Sequence, residues 1–561
     1  MADPSTKRKR TCLSDIAPDT IATCVLDTFK RQCQPEVYFG PALGASAVIA
    51  AVPSADKSKA TPPGGKTASW TIVAGIVEIR SEFPSAYSER PDETHSQHRI
   101  LRADHGDRDL VDVRCVALGA GTKCSHEQSP HAKHPTQVRD AHAEVLCRRA
   151  YKRYLYEQMR RAVAGAASYA GDPSMDSTGG PPGGLKKPHQ RSPPSIFQLV
   201  PGSKKTDGDG PRFQLKSGIQ YAMYVSEAPC GDATVEALEA EQPASVRALN
   251  EYKRREWRAA HPEASKEDKA LIGAGRLDMS RTGILRTKPG RVDAIPTRCL
   301  SCSDKLARWT VLGVQGSLMS TLLVRPIYLD TMVFGGPRVR LDACRRAFDT
   351  RLAAYQRCGV YDRVAPRLYE TDVVFPWGPL PAPSADQPFF ETDAAHVHAL
   401  PATDAAHVQL AMGAARSSRP AIDTRQPSPL GLAWTFGVAT TPKEVIVNGC
   451  KQGCSAPKAK SGITVTHYRK AAAVSTYALL QEQDALERAI VAWRSATQNA
   501  APATQTGRDL PIGRMSLLQR KAASRAYREA MQSLYDRVFP GWPSKETTPR
   551  PDVTLGGSDQ R

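Results

Sequence analysis

Apolar positions change their period several times along the chain, and each change marks an element. Between Asp15 and Cys33, the residues Ile21, Val25, Leu26 and Phe29 recur at helical spacing and predict one amphipathic helix. From Trp70 to Ile79 the sequence is β-rich and nearly uncharged, which predicts a buried strand. A second strand is predicted over Val111 to Leu118, emptying into the small-residue turn Gly119 to Cys124. A His-rich loop, Ser125 to Gln137, then leads into a helical segment with Val145, Leu146, Ala150, Tyr151, Leu155 and Met159 at apolar positions. Arg148 and Lys152 stack one turn apart on that helix, as do Arg149 and Arg153, and a solvated basic face is the simplest reading of them. Further on, Ser195 to Val200 reads as a short strand, Tyr221 to Ser226 as another, and a helical run starts at Ala233. Leu323 to Leu329 reads as a strand, Trp434 to Val447 as strand-like, and Ser516 to Val538 as a last amphipathic helix.

Three interruptions break this pattern. Residues 50–69, 164–212 and 381–430 are rich in proline with glycine, serine, lysine or alanine, and predict loops or disordered insertions. Val246 to Asp268 has mixed charge and predicts an exposed helical insertion, and Leu285 to Arg291 reads as a basic turn. A length of 561 residues leaves room for several domains, yet no internal repeat is found, which suggests one large unit carrying insertions. No apolar run reaches the roughly 18–20 residues that span a bilayer. The N-terminus, polar and then basic, lacks a secretory core. A membrane partner is therefore not expected, and an intracellular protein is, in the nucleus or cytoplasm.

Charge narrows the class of partner. The formal net charge of +19 favours a polyanion. Thr6 to Arg10 reads as a nuclear-import signal, an RNA-touching arm or a solvated tail. The 13 cysteines are scattered along the chain, the usage of reduced thiols with a few metal ligands and not of a disulfide framework.

Candidate chemistry starts at Asp140-Ala141-His142-Ala143-Glu144. A His two residues from a Glu can put one side chain on a metal and the other beside that metal's water. Alone the triplet is cheap. A catalytic zinc takes three protein ligands and keeps one position open. The zinc deaminase signature is H-x-E followed by P-C-x-x-C, with the Glu as proton shuttle. Pro229-Cys230 supplies the start of the second half, but the residue three after Cys230 is Ala233. A third ligand must come from elsewhere, and Cys302, in Ser-Cys-Ser-Asp-Lys, is the candidate. The plain alternative is that both cysteines are buried small hydrophobes.

Three stretches together resemble the adenosine-to-inosine editase family, which includes the tRNA adenosine deaminases and the deaminase domains of double-stranded-RNA editors. They are Asp-Ala-His-Ala-Glu-Val-Leu-Cys-Arg-Arg from Asp140, Pro-Cys-Gly-Asp-Ala from Pro229, and Ser-Cys-Ser-Asp-Lys-Leu-Ala-Arg-Trp from Ser301 with Leu-Gly-Val-Gln-Gly-Ser-Leu from Leu312. The resemblance implies one deaminase domain over residues 15–550, between a basic tail (1–14) and a C-terminal tail (551–561). It implies an α/β fold, a mixed central sheet with surrounding helices and a cytidine-deaminase-like zinc core with large insertions. It also implies zinc on His142, Cys230 and Cys302, with Glu144 as the catalytic proton shuttle.

Because the family's RNA editors enclose inositol hexakisphosphate, the resemblance further implies a polyphosphate site of Arg148, Arg149, Lys305, Arg308, Trp309, Gln315, Lys451, Lys521, Tyr527, Trp542 and Lys545. Asp140 would relay that site to the metal. The family's lysine in the last helix is replaced here by Met531. Ile72, Thr122 and Lys123 match substrate-side positions. Thr234 stands where double-stranded-RNA editors carry an arginine, and their flipping-loop glutamate is not evident around Met279 to Gly283. With no double-stranded-RNA-binding domain visible, the expected partner is tRNA, at the adenosine just 3′ of the alanine-tRNA anticodon (position 37). No obligate protein partner is evident. The other readings are an editor of different structured RNA, a non-catalytic zinc-containing RNA-binding subunit, and a cytidine deaminase on the same scaffold.

Overall fold

The computed structural model describes residues 16–42, 69–81, 97–101, 110–125, 134–170, 194–200, 211–241, 281–288, 297, 299–380, 425–454, 470–497 and 515–542, with Tyr252, Arg255 and Ala259 as isolated positions. The two predicted tails, residues 50–68, 171–193 and 381–424, most of Val246 to Asp268, and Lys545 lie outside the described residues.

The strands used below are β1 (Val73–Arg80), β2 (Gln97–Leu101), β3 (Leu110–Ala120), β4 (Thr122–Cys124), β5 (Asp140–His142), β6 (Ile219–Val225), β7 (Thr331–Phe334), β8 (Arg367–Glu370), β9 (Leu430–Thr435), β10 (Lys443–Val447) and β11 (Cys450–Lys451). The helices are α1 (Pro18–Cys33), α2 (Ala143–Ala170), α3 (Cys302–Leu312), α4 (Gly316–Ser320), α5 (Leu341–Phe348), α6 (Thr476–Thr497), α7 (Leu517–Ala523) and α8 (Arg525–Arg537). Nine strands form one sheet in the order β8-β7-β6-β1-β3-β9-β10-β11, with β2 beside β3. The ladders β6–β7 and β7–β8 are parallel and the others antiparallel, so the sheet is mixed, as the family resemblance implies.

Alternation on β1 divides the core. Ala74 and Ile76 join one apolar layer, while Val73, Val77 and Ile79 join the other. α1 covers the second layer with Ile21, Val25, Leu26 and Phe29, each contributing about 1.5–3 kcal/mol by leaving water. α2 covers the first layer, and α6 packs on α2, where Tyr156 donates to Gln483 Oε1 at 3.1 Å. α3 lies between that layer and a third cluster, built with Tyr527, Ala530 and Leu534 of α8.

Four expectations are corrected. The stretch Leu323 to Leu329 is not a strand; the strand is β7, starting at Thr331. Pro326 has no amide for a ladder, and Ile327 N donates to Gln315 Oε1 instead. The strand-like stretch Trp434 to Val447 is not continuous: β9 ends at Thr435, and β10, antiparallel to it, starts at Lys443. The last helix is broken at Ser524, whose ψ of 62° leaves the helical region, giving α7 and α8. α2 runs on to Ala170, past the predicted start of the second insertion.

Candidate active site

Backbone contacts bring the three motifs together. His142 ends β5 opposite Thr122 of β4, and Ala143 N donates to Gly121 O at 3.0 Å where α2 begins. Cys230 follows β6, and Gly231 after it has φ +107°, a region where a side chain is strained; a Cβ there would also collide with Ser301. Ser303 fastens that loop to α3, its N–H donating to Cys230 O and its hydroxyl to Pro229 O, both at 3.0 Å. Cys302 is the first residue of α3, whose N-cap Ser301 accepts from Asp304 N at 3.1 Å. The N–H of Cys302 in turn points at Cys230 Sγ, 3.4 Å away, so the helix N-terminus faces both sulfurs.

His142 Nδ1 lies 3.9 Å from Cys230 Sγ and 3.7 Å from Cys302 Sγ, and the three donor atoms fall within 4.8 Å of one another. A tetrahedral zinc with ordinary Zn–N and Zn–S bonds would set nitrogen and sulfur ligands about 3.6 Å apart. The trio therefore fits zinc in both donor type and spacing. Glu144, buried in the first turn of α2, places Oε2 3.1 Å from Cys302 Sγ and so borders the same point. The hydrogen bond from Cys302, with Lys288 and His142 nearby, holds the Cys230 thiol well below its ordinary value. Burial, together with Cys230 and Glu144, pushes Cys302 up. The protein alone favours one thiolate, and a bound cation would favour the second.

Lys288 is a correction and the largest omission of the sequence reading. It belongs to the predicted basic turn, yet it is only 2% exposed. Its Nζ lies 3.1 and 3.0 Å from the two oxygens of Asp140 and 3.1 Å from Cys302 Sγ. Asp140 also pairs with Lys305 and accepts from His142 N at 3.0 Å, while Cys299 Sγ lies 3.1 Å from its Oδ2. Burial works against the Asp140 carboxylate, but Lys288 and Lys305 bring it well below the usual range. Asp140 thereby adjoins His142 on one side and Lys305 on the other. The only advance sign of Lys288 was its place 14 residues before Cys302.

The residues expected at a polyphosphate site divide. Arg148 donates from Nε to Val314 O at 2.7 Å, and its guanidinium stands 4.7 Å from the Trp309 ring. Arg149 is engaged by the chain itself, at Val474 O (2.6 Å) and Thr476 Oγ1 (3.3 Å). Arg308 reaches Tyr535 Oη at 3.3 Å and lies over Trp542 at 5.0 Å. Tyr527 is buried beside Arg148 and Arg308, and Lys521 on α7 lies near Lys152. Gln315 is fully buried with both ends of its amide on backbone groups, Leu312 O and Ile327 N. Lys451 is not brought to this cluster: it is exposed on β11, near Glu444. Met531 is half-buried in the third apolar cluster. Burial, with Arg308 and Arg149 close by, pulls Arg148 down to about 9. Trp309 Nε1 and Arg308 Nε are buried without a hydrogen-bond partner. A cluster of this kind fits a multiply charged anion.

On the substrate side, Ile72 accepts from Gly121 N at 3.0 Å, its side chain half-buried against the core. Thr122 Oγ1 is buried without a partner, Lys123 is exposed, and Thr234 is buried with its N–H on Gly231 O.

Such a metal trio with an adjoining carboxylate is the equipment of a hydrolytic deaminase. The family model described as adenosine-deaminase (editase) domain matches residues 117–175 and 185–546, and the chain belongs to that family. The tRNA-specific adenosine deaminase 1 of Drosophila melanogaster is 27% identical over 315 residues, which is 54% of this chain and 59% of that protein. The tRNA-specific adenosine deaminase 1 of Homo sapiens is 29% identical over 339 residues, 50% of this chain and 62% of that protein. The double-stranded RNA-specific adenosine deaminase of Mus musculus is 29% identical over 253 residues, 44% of this chain and 18% of that protein. The chain spans less than two thirds of the length of each of these relatives. Among the described residues, no helix is long and apolar enough to cross a membrane.

Proposed function

We propose that this chain hydrolyses adenosine to inosine in tRNA, at the adenosine just 3′ of the alanine anticodon, on a cytidine-deaminase-like zinc core. The observation that carries the reading is the convergence of His142 and two thiols, 88 and 160 residues away in sequence, beside the buried Glu144. A structural zinc would have no use for that carboxylate. Zinc held by His142, Cys230 and Cys302 would lower the pKa of a water towards ~7. Glu144 takes a proton from the attacking water and delivers protons to adenine N1 and to the amine at C6. Water adds at C6, the C6–N bond breaks, and ammonia leaves. Ile72, Thr122 and Lys123 would face the extruded nucleotide, and the net charge of +19 would track the tRNA backbone.

Inositol hexakisphosphate in the basic core is part of the same proposal. Arg148, Arg308, Trp309 and Lys521 would hold it, with Tyr527 and Trp542 as walls, and Lys305 and Asp140 would connect it to the metal ligands. A second reading, the editing of other structured RNA, is favoured by the equal identity to the double-stranded RNA-specific and the human tRNA-specific relatives.

The test is to map inosine in tRNA from cells lacking this protein and complemented with Glu144→Ala. Inosine beside the alanine anticodon is expected to vanish and to stay absent with the variant. Turnover in vitro should fall by roughly 10²–10⁴-fold while zinc content is kept. Persistence of that inosine without the protein overturns the tRNA assignment, and undiminished activity of the variant overturns the mechanism.

A further inference from the structure

We propose that Lys152 is itself a ligand of a buried polyphosphate in this chain, a role that the family resemblance does not assign to it. The inference rests on the polyphosphate part of the reading above and adds a residue to it. Lys152 lies one turn beyond Arg148 on α2 and is 9% exposed. Its Nζ makes no hydrogen bond or ion pair among the described residues. Burial draws it well below the ordinary lysine value, and the charges that act on it, Arg148, Arg149 and Lys521, all push the same way.

A lysine buried among cations is a large cost unless something neutralises it. The geometry shows where that something would sit. Gly316 has φ +76°, and a Cβ built on it would stand 2.9 Å from Arg148 Nη2 and 3.8 Å from Lys152 Nζ. Arg148 and Lys152 thus converge on the backbone of Gly316, and a side chain there would displace the guanidinium. Trp309 Nε1 and Arg308 Nε add buried donors without acceptors. Arg149 differs, since two backbone and hydroxyl oxygens of the chain already accept from it. The uncompensated donors call for a compact anion with several charges and many acceptor oxygens, the chemistry of a polyphosphate.

The experiment uses the full chain, freed of bound anions, and compares wild type with Lys152→Met, Lys152→Arg, Arg148→Gln and the exposed-site control Arg525→Ala. Calorimetry and thermal melting are read with inositol hexakisphosphate, with pyrophosphate and with inorganic phosphate. Lys152→Met is expected to melt higher than wild type without anion, and to bind inositol hexakisphosphate about 10- to 100-fold more weakly. Lys152→Arg, which keeps the charge, and Arg525→Ala should bind as wild type does. Equally tight binding of pyrophosphate or phosphate would support Lys152 as the ligand and make the small phosphate its source. If Lys152→Met binds like wild type while Arg148→Gln loses binding, the role of Lys152 is overturned and the polyphosphate site stands. If wild type binds none of the three anions, both are overturned.

Discussion

Lys152, on α2, and Lys288, paired with Asp140 just before that helix, are both buried lysines, and their ammonium groups respond in opposite directions. Burial depresses each. At Lys288 the carboxylate of Asp140 and the sulfur of Cys302 more than offset it, and the group is raised well above the ordinary value. At Lys152 the charged groups that act on it among the described residues are all cations, and the group falls well below it. The metal end of the molecule is therefore closed by the chain itself, through one acid shared between two lysines. At the basic end no acid acts on Lys152 among the described residues. The lesson is that buried charge reports function only through its partners: the same residue type is a fixed strut in one place and a request for a ligand in the other.

The largest effect expected from breaking this contrast is at Asp140. Asp140→Asn would leave the buried Lys288 and the half-buried Lys305 without their acid, as Lys152 already is. Loss of stability by about 3–5 kcal/mol is expected in denaturant titration. Zinc affinity, followed by competition with a chelator, should fall by about 10- to 100-fold, because Lys288, which lies against Cys302, loses the charge that fixes it there.

The next effect is in pH. Lys152 has a folded-state pKa below its unfolded value, so between the two the unfolded chain binds the extra proton and stability rises with pH. Its destabilisation is full at low pH and is relieved as pH approaches the unfolded value of about 10.4. Lys288 has the reverse sign: its contribution is fully present below that value and is lost only as pH rises through its higher folded pKa. Anion-free protein should therefore gain stability from neutral pH towards about pH 10. Lys152→Met should show a smaller gain in chemical denaturation across the same range. A slope identical in the two proteins would show that Lys152 is compensated within the chain.

Lys451 marks the lower end of the scale. Lying exposed on β11, it should tolerate Lys451→Ala with a change within about ±0.5 kcal/mol and no change in affinity for inositol hexakisphosphate. A marked loss of affinity would mean that this edge strand folds over the basic core.

Much of the scaffold was legible in advance. The stripe of Ile21, Val25, Leu26 and Phe29 gave α1, and the β-rich run after Trp70 gave β1, because both signals are periodic and local. His142 and Cys230 were legible from spacing and residue type. Cys302 was a candidate for the missing third ligand, and the resemblance singled it out, since nothing local distinguishes a ligand thiol from a packed one. The strand after Leu323 was misplaced because Pro326 was outweighed by its apolar neighbours. Lys152 was read on a solvated face because its helical spacing matches that of any basic surface. The enclosure of α2 by α6 and α3 is a long-range fact.

The sequence by itself determined the elements, the donor types and a surplus of positive charge. It did so because period, side-chain chemistry and composition are properties of neighbouring residues. Only the tertiary structure decided which cations are buried and what each one faces. Lys288 meets an acid 148 residues away, whereas the charged groups that act on Lys152, eight residues beyond Glu144 on the same helix, are the cations Arg148, Arg149 and Lys521. That difference depends on which distant segments pack against each side chain, and no local pattern encodes it.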